Sequence, residues 1–84
     1  MTIFVTNIDY SASPAELSIE FETRVGPIER LSWITDRITG KFRGFAFIDF
    51  MNPDDGQKAI FEMNDSEFKG RKLIVREATP KPGR

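Results

Sequence analysis

The chain has 84 residues, no cysteine, no histidine, and a formal net charge of −1 from 12 basic and 13 acidic side chains. That length makes one domain with a thin core, which buries about 60% of the surface exposed by the unfolded chain. The composition excludes a disulfide framework, a Cys/His zinc site, a thiol nucleophile and a histidine general base, and no run is apolar enough to span a bilayer.

The first predicted strand runs from Ile3 to Asn7, with no signal peptide before it. A chain that starts almost on its first strand is expected to be a complete small protein, although an excised domain would look much the same. Ser13-Pro14-Ala15-Glu16 predicts a helix start, with Ser13 as N-cap, Pro14 at the first position and Glu16 closing a capping box. Leu17, Phe21 and Val25 recur every fourth residue as its apolar stripe, and Gly26-Pro27 ends it. Ile28 to Thr35 is the second strand, and Thr39-Gly40 marks the tip of the loop that follows.

The third strand is the octapeptide Arg43-Gly44-Phe45-Ala46-Phe47-Ile48-Asp49-Phe50, which alternates strictly. Gly44, Ala46, Ile48 and Phe50 make a core face, whereas Arg43, Phe45, Phe47 and Asp49 make a face of rings and charges. Reading Phe45 and Phe47 as core fails on parity, because Ala46 and Ile48 would then face solvent and Gly44 would waste a core position. Rings beside a guanidinium suit a surface that stacks bases and holds phosphate.

Asn52-Pro53 opens the second helix, with Asp54 and Asp55 in its first turn and Ala59, Ile60 and Met63 as its core stripe. Gly56 inside this helix costs up to about 1 kcal/mol relative to Ala, and close packing is the expected reason. Phe61 falls off the stripe and is a candidate surface for a protein partner. Phe68 to Arg71 is a turn, Leu73 to Arg76 the fourth strand, and residues 80–84, with two prolines and a glycine, a flexible tail. The order β-α-β-β-α-β with right-handed crossovers gives an α+β, ferredoxin-like fold. It is a four-stranded antiparallel sheet with strands one and three in the centre and both helices on one face.

Charge follows the elements. Residues 9–29 and 50–67, mostly helical, are each net −4, while residues 30–49 are net +2 and residues 68–84 net +5. Segregation of this kind gives one face a positive field despite the negative total.

The octapeptide resembles the longer signature of the RNA recognition motif, the RRM, with Ile48 where the usual pattern has Val. Ile3-Phe4-Val5-Thr6-Asn7-Ile8 resembles the family's shorter signature, with an aromatic in second place and Asn in fifth. The similarity runs from about Thr2 to Thr79, so residues 1–79 are read as the domain. Relative to the family pattern, the segment from Phe21 to Gly26 is one residue long.

The resemblance implies single-stranded RNA as the partner, with single-stranded DNA a weaker ligand; the residues themselves show no paired carboxylates with a matching base, no phosphate-cradling glycine-rich loop and no metal-ligand cluster, so no cofactor, metal or catalytic residue is expected. The resemblance implies stacking on Phe4, Phe45 and Phe47 and a phosphate contact by Arg43. It also implies a base contact by Arg76 and backbone groups of Ala78 and Thr79 offered to a base. Thr6 and Ile34 face outward by register. Asp49 and Glu77 are expected near the site, able to accept from base amino groups. Trp33 faces inward by register, or outward after a one-residue slip, and Phe42 is either a fourth stacking residue or loop packing. Small single-RRM proteins of the bacterial type share this organisation, which would make the protein a cytoplasmic monomer. The competing reading is an RRM-like protein-interaction module, and domains of that kind commonly lose the signature aromatics.

Overall fold

The alternation seen in the two signature segments organises the fold. In the computed structural model, which describes residues 1–78, β1 (Thr2–Thr6) and β3 (Phe42–Phe50) pair antiparallel with Phe4 opposite Phe47 and Val5 opposite Ala46. Ile3, Val5, Ala46, Ile48 and Phe50 are buried on one side of that pair. β2 (Ile28–Thr35) flanks β3 and the last strand, β6 (Ile74–Glu77), flanks β1, giving the antiparallel order β2-β3-β1-β6. The two signature strands are therefore central, as the ferredoxin-like order requires.

Two helices cover the buried side. α1 (Pro14–Arg24) contributes Leu17 and Phe21, and α2 (Asp55–Met63) contributes Ala59 and Met63, all fully buried. α1 starts as expected: the Ser13 hydroxyl accepts from the Glu16 amide at 3.2 Å, and the Glu16 carboxylate accepts from the Ser13 amide at 2.9 Å. At its other end the Phe21 carbonyl accepts from both Val25 (2.8 Å) and Gly26 (3.3 Å), so the wide final turn takes up the additional residue. α2 starts later than expected. Asn52 and Pro53 lie ahead of it in a turn closed by the Asp55 amide on the Asn52 carbonyl (3.1 Å), and Asp54 is a cap without a side-chain bond. Gly56 meets the start of β1: a methyl group there would lie 2.6 Å from the Met1 sulfur.

The predicted turn at Phe68–Arg71 is a complete hairpin, with β4 (Glu67–Phe68) pairing with β5 (Arg71–Lys72). Lys69 and Gly70 form its two-residue tip, with φ of 53° and 86°, the type I′ pattern that matches strand twist. Lys69 also bridges to Glu16 at 3.2 Å, tying the hairpin to α1. The hairpin explains why the last strand begins at Ile74 and not at Leu73. The Leu73 amide donates to Ser66 and its carbonyl accepts from Asp65, both at 2.8 Å, so its backbone is already engaged and its side chain fully buried.

β3 carries one irregularity. Gly44 has φ +89°, and its carbonyl accepts from the Ile8 amide at 3.0 Å, locking the β1–α1 loop onto the strand. Tyr10 closes over it, and a methyl group at Gly44 would lie 3.0 Å from the Tyr10 ring.

Two stability predictions follow from these contacts. Ser13→Ala removes the capping box and should cost about 1 kcal/mol, read as a lower urea midpoint at unchanged slope. Gly44→Ala should cost more than Gly40→Ala. Both carry the left-handed penalty of about 1–2 kcal/mol, but Gly40 (φ +76°) faces open space. Equal losses in parallel urea titrations would remove the Tyr10 contact from the account.

Candidate functional site

The sheet face turned away from the helices is laid out in rows by the registers just described. One row reads Arg76, Phe4, Phe47, Ser32 across β6, β1, β3 and β2. The next, toward the start of β1, holds Thr2, Asp49 and Arg30, with the Thr2 hydroxyl donating to the Asp49 carboxylate. On the other side lie Ile74 and Thr6, and Phe45 continues that row.

Three rings sit at the centre. Phe4 and Phe47 are stacked, 4.9 Å apart and 25° from parallel, while Phe45 stands edge-on to both, at 5.4 and 6.2 Å. All three are half-buried by one another and present ring surface to solvent. Arg43 is exposed at the edge of this patch, its guanidinium carbon 5.9 Å from the Phe45 ring centre. The two ion pairs among the described residues, Arg24–Glu20 and Lys69–Glu16, lie elsewhere, so neither Asp49 nor Glu77 takes the Arg43 charge. Asp36, in the β2–β3 loop, feels that charge at longer range. Its carboxyl is held below the usual range mainly by the Thr39 and Ile38 amides, with a smaller contribution from Arg43.

The remaining expected residues divide. Thr6 and Arg76 share the ring face by register. The Ala78 amide donates to the Thr2 carbonyl at 2.9 Å, extending the β1–β6 ladder, so only its carbonyl is left for a ligand. Thr79, like residues 80–84, lies outside the described residues. Glu77 stands opposite Ile3 and so belongs to the helix side of the sheet, correcting its expected place beside the rings. Trp33 lies opposite Ala46, on the inward side, in the regular stretch between two irregularities of the β2–β3 pairing, at Ile28/Arg30 and Trp33/Thr35. Phe42 packs flat on it, 3.8 Å away at 7°, with its edge toward Tyr10, and both rings lean on the rim of the core. Phe61 is 85% exposed on α2.

Sequence reasoning missed a second feature. Past Phe45 and Thr6 the face opens into a cavity of about 230 Å³, also lined by Asn7, Tyr10, Arg43 and Arg71. Asn7 holds it together from a left-handed conformation (φ 62°): its amide nitrogen donates to the Lys72 carbonyl (2.8 Å) and its oxygen accepts from Arg71 (2.6 Å). The one signal in the sequence was an Asn ending a strand, a residue type that tolerates this backbone. Arg71 could not be placed without the β4–β5 hairpin. Among the described residues there is no cluster of three or more side chains suited to a metal ion, and no helix is long and apolar enough to cross a membrane.

Known proteins resemble this chain in sequence and in fold. The sequence model of the RNA recognition motif matches residues 3–74. RbpD of Nostoc sp. strain PCC 7120, a protein named for RNA binding, is 40% identical over 81 residues, which cover 96% of this chain and 85% of RbpD. The crystal structure of an RNA-binding protein, PG1, superposes with a TM-score of 0.87 at 40% identity and covers 99% of both chains. The Sxl-lethal protein in its RNA complex superposes with a TM-score of 0.87 at 30% identity, over 96% of this chain and 48% of that one.

Proposed function

The chain belongs to the RNA recognition motif family, and from that premise we propose that it binds single-stranded RNA on the open face of its sheet. The observation that carries the reading is the ring cluster: Phe4, Phe45 and Phe47 lie at one parity on the two central strands, within 6.2 Å of one another. Half-buried rings that keep ring surface open to solvent offer stacking surface to bases not already stacked in a duplex. Arg43 beside them presents a planar fork suited to two phosphate oxygens. Arg76, next to Phe4 in the same row, reaches a base edge, and Thr6 and the Ala78 carbonyl add polar contacts along β1 and β6. Relatives named for RNA binding and an RNA-bound structural neighbour support the assignment.

On this reading the protein is a binding module and not an enzyme. The face presents rings and guanidiniums, and the acid Asp49 is occupied by the Thr2 hydroxyl. A protein-interaction module remains the competing class, but no feature of the ring face favours a peptide over bases. One platform reads two or three bases, so affinity for short RNA is expected in the micromolar range or weaker.

Phe47→Ala should weaken RNA binding by about 1–3 kcal/mol for the lost stack. Its folding stability should fall only by the ring-pair contribution, about 0.5–1.5 kcal/mol, whereas Phe21→Ala in the core should cost about 3–5 kcal/mol. Anisotropy titrations with short RNAs and urea unfolding of the same samples separate the two effects, and an unfolded Phe47→Ala domain would refute the face assignment. For Arg43→Ala, the dependence of log affinity on log salt should be shallower by about 0.7, one phosphate's worth on a single strand. Parallel titrations between about 50 and about 200 mM salt read that difference, and identical slopes would exclude the contact.

A further inference from the structure

We propose that the cavity at the end of β1 and β3 is a second phosphate-binding subsite. It takes a phosphodiester of an RNA strand that continues past the stacked bases, held between Arg43 and Arg71. The proposal deepens the RNA-binding reading and rests on it.

The cavity is joined to the ring patch, since Phe45, Thr6 and Arg43 line both. At about 230 Å³ it has the room of roughly seven waters, more than one phosphate group needs. Two arginines, Arg43 and Arg71, line it. The pairing of like charges at a concave site is unfavourable until an anion enters, and a guanidinium matches phosphate oxygens in both geometry and charge. Neither arginine is in an ion pair among the described residues. One acid that feels the Arg71 charge is Asp9. Its carboxyl, held below the usual range mainly by the Ser11 amide and only weakly by Arg71 and Lys69, is engaged within its own loop.

The site is also built. Arg71 is exposed but tethered: one of its terminal nitrogens donates to the Asn7 oxygen at 2.6 Å, and Asn7 is fixed in turn by the Lys72 carbonyl. The planar fork is thereby held in one orientation, with its remaining N–H groups free to serve a ligand. Tyr10, 69% exposed, lines the cavity as well, perpendicular to the Phe42 ring 6.1 Å away. Its exposed face lies where the next sugar or base would arrive. A strand crossing the rings would meet Arg43 first and then Arg71, so the subsite engages only RNA longer than the two or three bases the rings can hold.

The test compares a trinucleotide with a hexanucleotide, both single-stranded RNA of degenerate sequence, over a salt series. Arg71→Gln keeps an amide donor for Asn7 but removes the charge. It should bind the trinucleotide as the unaltered protein does, bind the hexanucleotide several-fold more weakly, and lower the hexanucleotide salt slope by about 0.7. Arg71→Lys, which keeps the charge, should recover most of that slope. Phe47→Ala should weaken both RNAs. Unchanged hexanucleotide binding by Arg71→Gln, with both RNAs weakened by Phe47→Ala, would overturn the subsite and leave the RNA-binding reading intact. An unaltered protein that binds neither RNA would overturn both.

Amide spectra of the unaltered protein provide a readout independent of any variant. Asn7, Ile8 and Gly44 should shift on adding the hexanucleotide and not on adding inorganic phosphate at the same concentration. A response to phosphate without one to the hexanucleotide would mark a small-anion site and refute the strand assignment.

Discussion

The pairing of β1 with β3 in a single register, Phe4 opposite Phe47 and Val5 opposite Ala46, is the constraint on which the rest depends. Strand side chains alternate with period two, so one choice of register sorts both segments at once. Ile3, Val5, Ala46, Ile48 and Phe50 go under the helices, and Phe4, Phe45 and Phe47 go to the open face. A slip of one residue would bury the three rings and expose the aliphatic set. The hydrophobic effect therefore specifies the binding face indirectly, by fixing what must be on the other side. This allows three phenylalanines to remain at a solvent-facing surface of an 84-residue chain without competing for its core.

Electrostatics follows the same two-sided plan. The net charge of −1 hides acidic helical segments and a basic sheet, loop and hairpin. Glu16 and Glu20 lie on α1, where Lys69 and Arg24 offset them, while Arg30, Arg43, Arg71 and Arg76 belong to strands. Separating the signs across the thickness of the domain lets a nearly neutral protein present a positive surface. That favours approach of an anionic strand from one side and is weakened by salt.

Much of this was legible in the residues because the relevant signals are local. The capping box at Ser13 and Glu16 needs four residues, and the octapeptide shows its two faces by itself. The parity argument placed Phe4, Phe45, Phe47 and Arg43 correctly on the open side. It also placed Trp33 inward, where Phe42, the first residue of β3, stacks on it. What escaped depends on pairings that no local pattern reveals. Glu67–Phe68 and Arg71–Lys72 are two-residue strands, too short to display a period. Without them Arg71 has no position, and Leu73 reads as the first residue of a strand that starts one residue later. The pairing of Ile3 with Glu77, one residue on from Arg76 and so of opposite parity, puts Glu77 on the helix side. Asn52-Pro53 misled for a related reason: the dipeptide suits a helix start and a turn equally well, and the Asp55 amide chose the turn.

β1 is flanked by partners from far along the chain, Asp49 for Thr2 on one edge and Glu77 for Ile3 on the other. Neither edge can be closed by its sequence neighbours, so the ordering of the sheet waits on long loops. During synthesis the segment that carries Phe4 emerges ahead of both its partners and remains an open strand until residues near 50, and then near 78, have left the ribosome. The unpaired interval is a window for intermolecular pairing. It closes only when the Ala78 amide reaches the Thr2 carbonyl. The strand that carries Phe4 thus waits longest for its second partner, whereas the ring cluster is complete as soon as β3 has paired with it.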